Sequence, residues 1–122
     1  MNKISAHYVY HKETLFSQVV IEVDSFGKIQ IEPLENEIAN TEFYNGLIFI
    51  LETNEEIQSI INLIEQRLQE HMDILQVFPE LEKENRDKVS DLATYFILFE
   101  DIDLQQKRWL LDSKIHCLHA SS

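Results

Sequence analysis

The chain has 122 residues, 44% of them apolar and 26% charged, with ten Lys or Arg against 22 Asp or Glu and a formal net charge of −12. That length suits one domain with one core, able to bury roughly two-thirds of the surface its unfolded form exposes. A charge of this sign repels nucleic-acid phosphates and anionic lipid, so neither nucleic acid nor a membrane is an expected partner.

The carboxylates are spread along the chain, and their first reading is a solvated surface. Cys117 is the single cysteine and can make no internal disulfide. The opening residues MNKISAHYVYHK carry no apolar run of the signal-peptide kind, and the expected compartment is the cytosol. Leu47 to Leu51 is the longest apolar run, far short of the roughly 20 residues that cross a bilayer as a helix.

Taken in chain order, the first third reads as strands: Ile4 to Tyr10, Gln18 to Val23 and Lys28 to Pro33, with Val19, Ile21 and Val23 alternating against Gln18 and Glu22. Asp24-Ser25-Phe26-Gly27 reads as the hairpin between the last two, with Gly27 suited to a positive φ. A fourth strand is expected from Phe43 to Leu51. Thr53 with Glu56 forms a capping-box pattern, and Ile57, Ile60, Ile61, Ile64, Leu68, Met72 and Leu75 follow at spacings of three and four. This predicts one amphipathic helix of about six turns. Pro79 is expected to end it and to open a shorter, more polar helix from Glu80 to Leu92. Strands return at Thr94 to Phe99, Arg108 to Leu111 and Lys114 to Leu118.

The order of strands (1–52), helical insert (53–93) and strands (94–122) predicts a single α+β domain. Its N- and C-terminal strands share a small β-sandwich or sheet, and one long and one shorter helix cover a side.

Five histidines raise the question of a metal. His7 and His11 share a strand face, but their Cα atoms stand roughly 13 Å apart at strand spacing. His116 and His119 point to opposite faces of a strand. A zinc centre needs three or four converging ligands, and no metal site is expected within one chain. Cys117 and His116 are strand neighbours that face apart, so the thiol reads as inert. The pairs among Glu55-Glu56, Glu80, Glu82 and Glu84, and Asp101 with Asp103, read as a solvated face, because nothing isolates two of them in an apolar pocket. The chain carries no Gly-rich phosphate loop, Gly-x-Ser-x-Gly or CxxC. The aromatic stretch TYFILFE reads as core.

Several stretches, covering most of the chain, carry a family resemblance. "ISAHYVY", "DSFGKI" and "TEFYNGLI" resemble the N-terminal segment of amidohydrolase-superfamily enzymes of the cytosine deaminase and chlorohydrolase type. In that family the segment builds part of a small β-sandwich beside a metal-dependent barrel. "IEQRLQEHMDILQVFPELE" is similar to the last helical region of such a barrel, and "VSDLAT" to its final helix cut short. "YFILFEDIDLQQKRWLLDSKIHCL" is similar to the strands that complete the sandwich. These motifs are structural and not catalytic. In the family, the strand matching Gly46-Leu47-Ile48 leads through a Pro-Gly step to a His-x-His metal pair. Here it continues Phe49-Ile50-Leu51-Glu52-Thr53, with no histidine until His71. A barrel would add about 200 residues. No catalytic, cofactor-binding or metal-ligating residue carries over, and no cofactor is implied.

The expectation is therefore a non-catalytic accessory or protein-interaction domain. Apolar surface that a barrel would cover needs another cover, either the long helix or a partner, and the expected partner is a second copy in a homodimer or another protein. The alternative is a small metal- or histidine-dependent hydrolase whose site forms between subunits from His7, His11, His116 or His119 with nearby carboxylates.

Overall fold

The computed structural model describes residues 3–23, 28–34, 41–71, 73–86, 93–110 and 112–121. Seven strands alternate with two helices in the order β1 (Lys3–His11), β2 (Thr14–Ser17), β3 (Val19–Val23), β4 (Ile29–Pro33), β5 (Thr41–Thr53), α1 (Ile57–His71), α2 (Ile74–Arg86), β6 (Ala93–Glu100) and β7 (Lys114–Ser121). All seven strands lie in one sheet, ordered β4-β3-β1-β5-β6-β7, with β2 paired to β1. The expected sharing of one sheet by N- and C-terminal strands is realised where β5 runs antiparallel to β6, from Leu47 opposite Phe99 to Thr53 opposite Ala93. β1 and β5 are parallel; the other pairs are antiparallel.

β5 is central and buried on both sides, which is why its sequence is a continuous apolar run with no polar alternation. Leu47, Phe49 and Leu51 face the helices, meeting Ile60, Ile64 and Leu68 of α1 and Ile74, Val77, Phe78 and Leu81 of α2. Phe78 stacks on Phe49 with ring centres 4.0 Å apart and planes at 9°. Ile48 and Ile50 face the other way, into a second cluster with Ala6, Val9, Val19, Ile21, Phe96 and Leu98. Among the described residues this second cluster is built from strands alone. Ile21 of β3 and Leu118 of β7 line one cavity of about 360 Å³, although a flat sheet would separate these strands by about 19 Å, four strand spacings. The sheet is therefore strongly coiled, in the sense that strand twist favours.

Two irregularities aid this coiling. β5 carries an extra residue relative to β1, since Ala6 pairs with Tyr44 but Tyr8 with Leu47. Gly46 sits in that bulge at φ +157°, where an added Cβ would come within 2.1 Å of the Phe99 carbonyl oxygen. β7 carries a second bulge at Leu118, since Phe96 pairs with His119 but Ile97 with Cys117. Bulges bend strands and increase local twist.

The helices depart from the sequence expectation. Two helices form the insert, but their bounds differ: α1 has 15 residues, short of the roughly six turns expected, and α2 has 13 and begins before Pro79. The break comes at Asp73, whose Oδ1 accepts the Leu75 N–H at 3.1 Å as an N-cap. Its backbone carbonyl accepts the N–H groups of Gln76 and Val77. Ile74 and Leu75 thus begin α2, and Pro79 lies inside that helix. Thr53 does not cap α1. It ends β5, and the Glu56 carbonyl accepts the first helical bond, from Ile60, at 3.1 Å. The expected strand at Arg108 to Leu111 is also absent among its described residues. Arg108 instead makes isolated bridges to Asp73 and Asp103, and Trp109 drops edge-on against Phe99. Strand β2, not anticipated, arises because Lys12 and Glu13 both take positive φ (49° and 64°) and turn the chain within two residues. The turn Asp24 to Gly27 lies outside the described residues, but β3 and β4 pair across it, Val23 with Ile29.

Candidate functional site

The sheet disperses the histidines that the sequence brings to notice. His7 on β1 is exposed and meets exposed Phe43 edge-on, with centroids 5.2 Å apart. His116 on β7 places Nε2 2.8 Å from Glu100 Oε1 on the surface. The side chains of His71 and His119 lie outside the described residues. No group of three or more His, Cys, Asp or Glu that could hold a metal ion occurs among the described residues. Of the acidic pairs, Glu80 and Glu84 flank Arg67 at 3.9 and 2.6 Å. Asp103 Oδ1 accepts the N–H groups of Gln105 and Gln106, each at 3.1 Å, and so orders a turn.

His11 is the histidine that reaches a cavity. The pairing of β1 with β5 ends at Tyr10 opposite Phe49, and β5 runs on alone on that side as β1 turns into the Lys12–Glu13 hairpin. The gap is a cleft of about 410 Å³ walled by His11, Ile50, Leu51 and Glu52, with Glu82 and Asn85 of α2 across it. His11 is half-buried, and its Nε2 is buried without a hydrogen-bond partner. Burial, and then the charge of Lys12, hold the imidazole below its ordinary pKa of 6.5, against a weaker opposing pull from Glu52. The ring is therefore neutral at pH 7, one nitrogen donating and the other accepting. That cleft can hold a polar group beside the His11 ring.

The wall across the cleft is built on hydrogen bonds that short-range patterning does not reveal. Asn85, buried in α2, donates from Nδ2 to the Leu81 carbonyl at 2.7 Å and accepts the Thr53 hydroxyl at 2.6 Å. Glu82 reaches back to the hairpin, accepting the N–H groups of Lys12 and Glu13. In sequence Glu82 reads as one more solvated carboxylate; the signal that marks it is a non-glycine pair at a two-residue turn, whose left-handed backbone needs an external acceptor.

The two sheet edges differ. β4 has five residues, shows exposed Glu32 and ends in Pro33, which has no N–H to offer. β7 has eight residues, KIHCLHAS, with no proline and no carboxylate, and among the described residues it pairs with β6 alone. Cys117, reduced and exposed, lies on it.

On the concave side of the sheet a second cavity, already noted for its size, opens between β3 and β7. Tyr44 and Glu42 stand at its wall, and the Tyr44 hydroxyl donates to Glu42 Oε2 at 2.6 Å. Compared with known proteins, the chain matches no protein-family model, no curated protein and no solved structure.

Proposed function

We propose that the protein is a non-catalytic interaction domain that acts in the cytosol as a homodimer, joined by antiparallel addition of β7 to β7 across a two-fold axis. The observation that carries this reading is the contrast between the edges: β4 is short, acidic and closed by Pro33, whereas β7 offers a long edge free of carboxylates. An unprotected edge strand is a template for another strand. The occupant is a second copy because β7 brings no carboxylate of its own to face its copy across the axis, although the rest of a chain of charge −12 opposes the pairing. A two-fold axis then makes one patch serve both sides. The resemblance to an amidohydrolase sandwich supports it further, since a scaffold without its barrel has surface to cover.

Sedimentation velocity on the intact chain tests the proposal. A dimer that tightens as salt screens the like charges is expected. Cys117→Asp, which puts a carboxylate at an exposed position near the middle of this edge strand, is expected to weaken the dimer by about tenfold or more while leaving the monomer folded. A monomer at all salt concentrations, or a dimer indifferent to Cys117→Asp, overturns it.

A further inference from the structure

We propose that the concave cavity is a binding site for a small amphipathic cation, a primary ammonium carried on an apolar, aromatic-sized body. This goes beyond the interaction reading and rests on separate residues. The body is specified by the walls. Ile4 of β1, Ile21 of β3, Phe96 of β6 and Leu118 of β7 surround about 360 Å³, room for on the order of ten non-hydrogen atoms at the packing density of a protein interior. Ile21 and Phe96 are almost fully buried, whereas Ile4 and Leu118 are half-buried, so the cavity has a closed apolar floor and an open rim.

The head is specified by the rim. Among the described residues, Glu42 and Tyr44 are the polar residues of this wall, and they are already coupled: the phenol donates to the carboxylate at 2.6 Å, a short charge-assisted bond. That bond, then burial, raises the Tyr44 pKa, so the phenol keeps its proton and its single donor is committed to Glu42. A carboxylate accepts several hydrogen bonds, and the capacity Tyr44 leaves unused is what an ammonium would take. An anionic head would meet Glu42 and the field of a chain carrying −12. A neutral apolar ligand would use the floor alone and gain nothing from the carboxylate at the rim. The sheet positions these elements for a physical reason: coiling brings β3 and β7 to the same cavity, and the neighbouring strand residues Ala6 and Tyr44 pair just before the β5 bulge, which fixes the wall that carries the acid.

The experiment is a methyl-resonance titration of the intact protein, following Ile4, Ile21 and Leu118, with 2-phenylethylammonium and, separately, its anionic counterpart 3-phenylpropionate. Saturable shifts of all three methyls are expected with the ammonium, at least about tenfold tighter than with the carboxylate. Glu42 is exposed, so Glu42→Lys is expected to keep the fold and reverse the preference towards 3-phenylpropionate. Ile21→Trp, which fills the floor, is expected to abolish both. Absence of saturable shifts up to about 10 mM, equal affinity for the two heads, a preference unchanged by Glu42→Lys, or contacts from residues 24–27 or 35–40 seated within the cavity would each overturn the proposal.

Discussion

Glu82 in α2 grips the backbone of Lys12, 70 residues earlier, its Oε2 accepting the Lys12 N–H at 2.7 Å. Its Oε1 accepts the Glu13 N–H at 2.9 Å. Lys12 and Glu13 both lie at positive φ, a conformation that costs a residue with a side chain roughly 1 kcal/mol or more, and two successive N–H groups in that conformation form a concave anion site. The chain fills the site with its own carboxylate. Glu82→Ala is expected to lower stability by about 1–2 kcal/mol in denaturant melts. Replacing Lys12-Glu13 by Asn-Gly, which suits the turn, should recover part of that loss. Tyr10 reports on the same contact. Its pKa is pushed up to about 12 by burial first, then by the charges of Glu82 and Glu13 and a hydrogen bond to Glu82. Because the folded value is the higher one, the contribution of Tyr10 to stability is complete below pH 10 and is lost as pH rises towards about 12. Phenolate absorbance should show Tyr10 ionising late in the wild type and earlier, though still late, in Glu82→Ala.

The cleft histidine gives the opposite signature. His11 is held below 6.5 by burial and by Lys12, so its neutral form is the one the fold favours. Its contribution is present above pH 6.5 and is lost as pH falls through the lowered folded value. Nuclear magnetic resonance titration should place His11 below a free histidine. Lys12→Gln should move it up, and Glu52→Gln should move it further down, because Glu52 pulls the other way.

Thr53 and Asn85 tie the end of the central strand to α2. Both are buried, and the Thr53 hydroxyl also accepts the Glu55 N–H at 3.1 Å. Thr53→Val preserves shape but leaves Asn85 Oδ1 and the Glu55 N–H without that partner. A loss of about 1–3 kcal/mol is expected, and a loss within error of zero would show that the bridge is dispensable.

Gly46 is fixed by the approach of a neighbouring strand. With the Phe99 carbonyl oxygen 2.1 Å from where a Cβ would stand, Gly46→Ala must push β6 away from β5. A cost of at least about 2 kcal/mol is expected, with the largest amide shift changes at Leu98 and Phe99.

Part of this molecule is legible in one dimension. The alternation in β3, the apolar run of β5 and the three-and-four spacing of Ile57, Ile60, Ile64 and Leu68 depend on neighbours a few residues apart, and β3, β5 and α1 formed near where they are expected. The helix break falls at Asp73 and not at Pro79 for a physical reason. The carbonyl and N–H groups near Asp73 are claimed by a cap and by the Lys107 carbonyl, which accepts the Ile74 N–H at 3.1 Å, whereas Pro79 merely forgoes one bond inside a helix that packing already holds.

The sequence alone therefore settled the α+β class, the apolar faces and the absence of known short catalytic motifs, since all of these follow from local periodicity and composition. Tertiary structure decided what those elements build: which strands stand at the edges among the described residues, that Glu82 serves a turn 70 residues away, and that coiling brings β3 and β7 around one cavity. Those outcomes depend on strand order and on the bulges at Gly46 and Leu118, and contacts between residues far apart in the chain leave no period for a linear reading to detect.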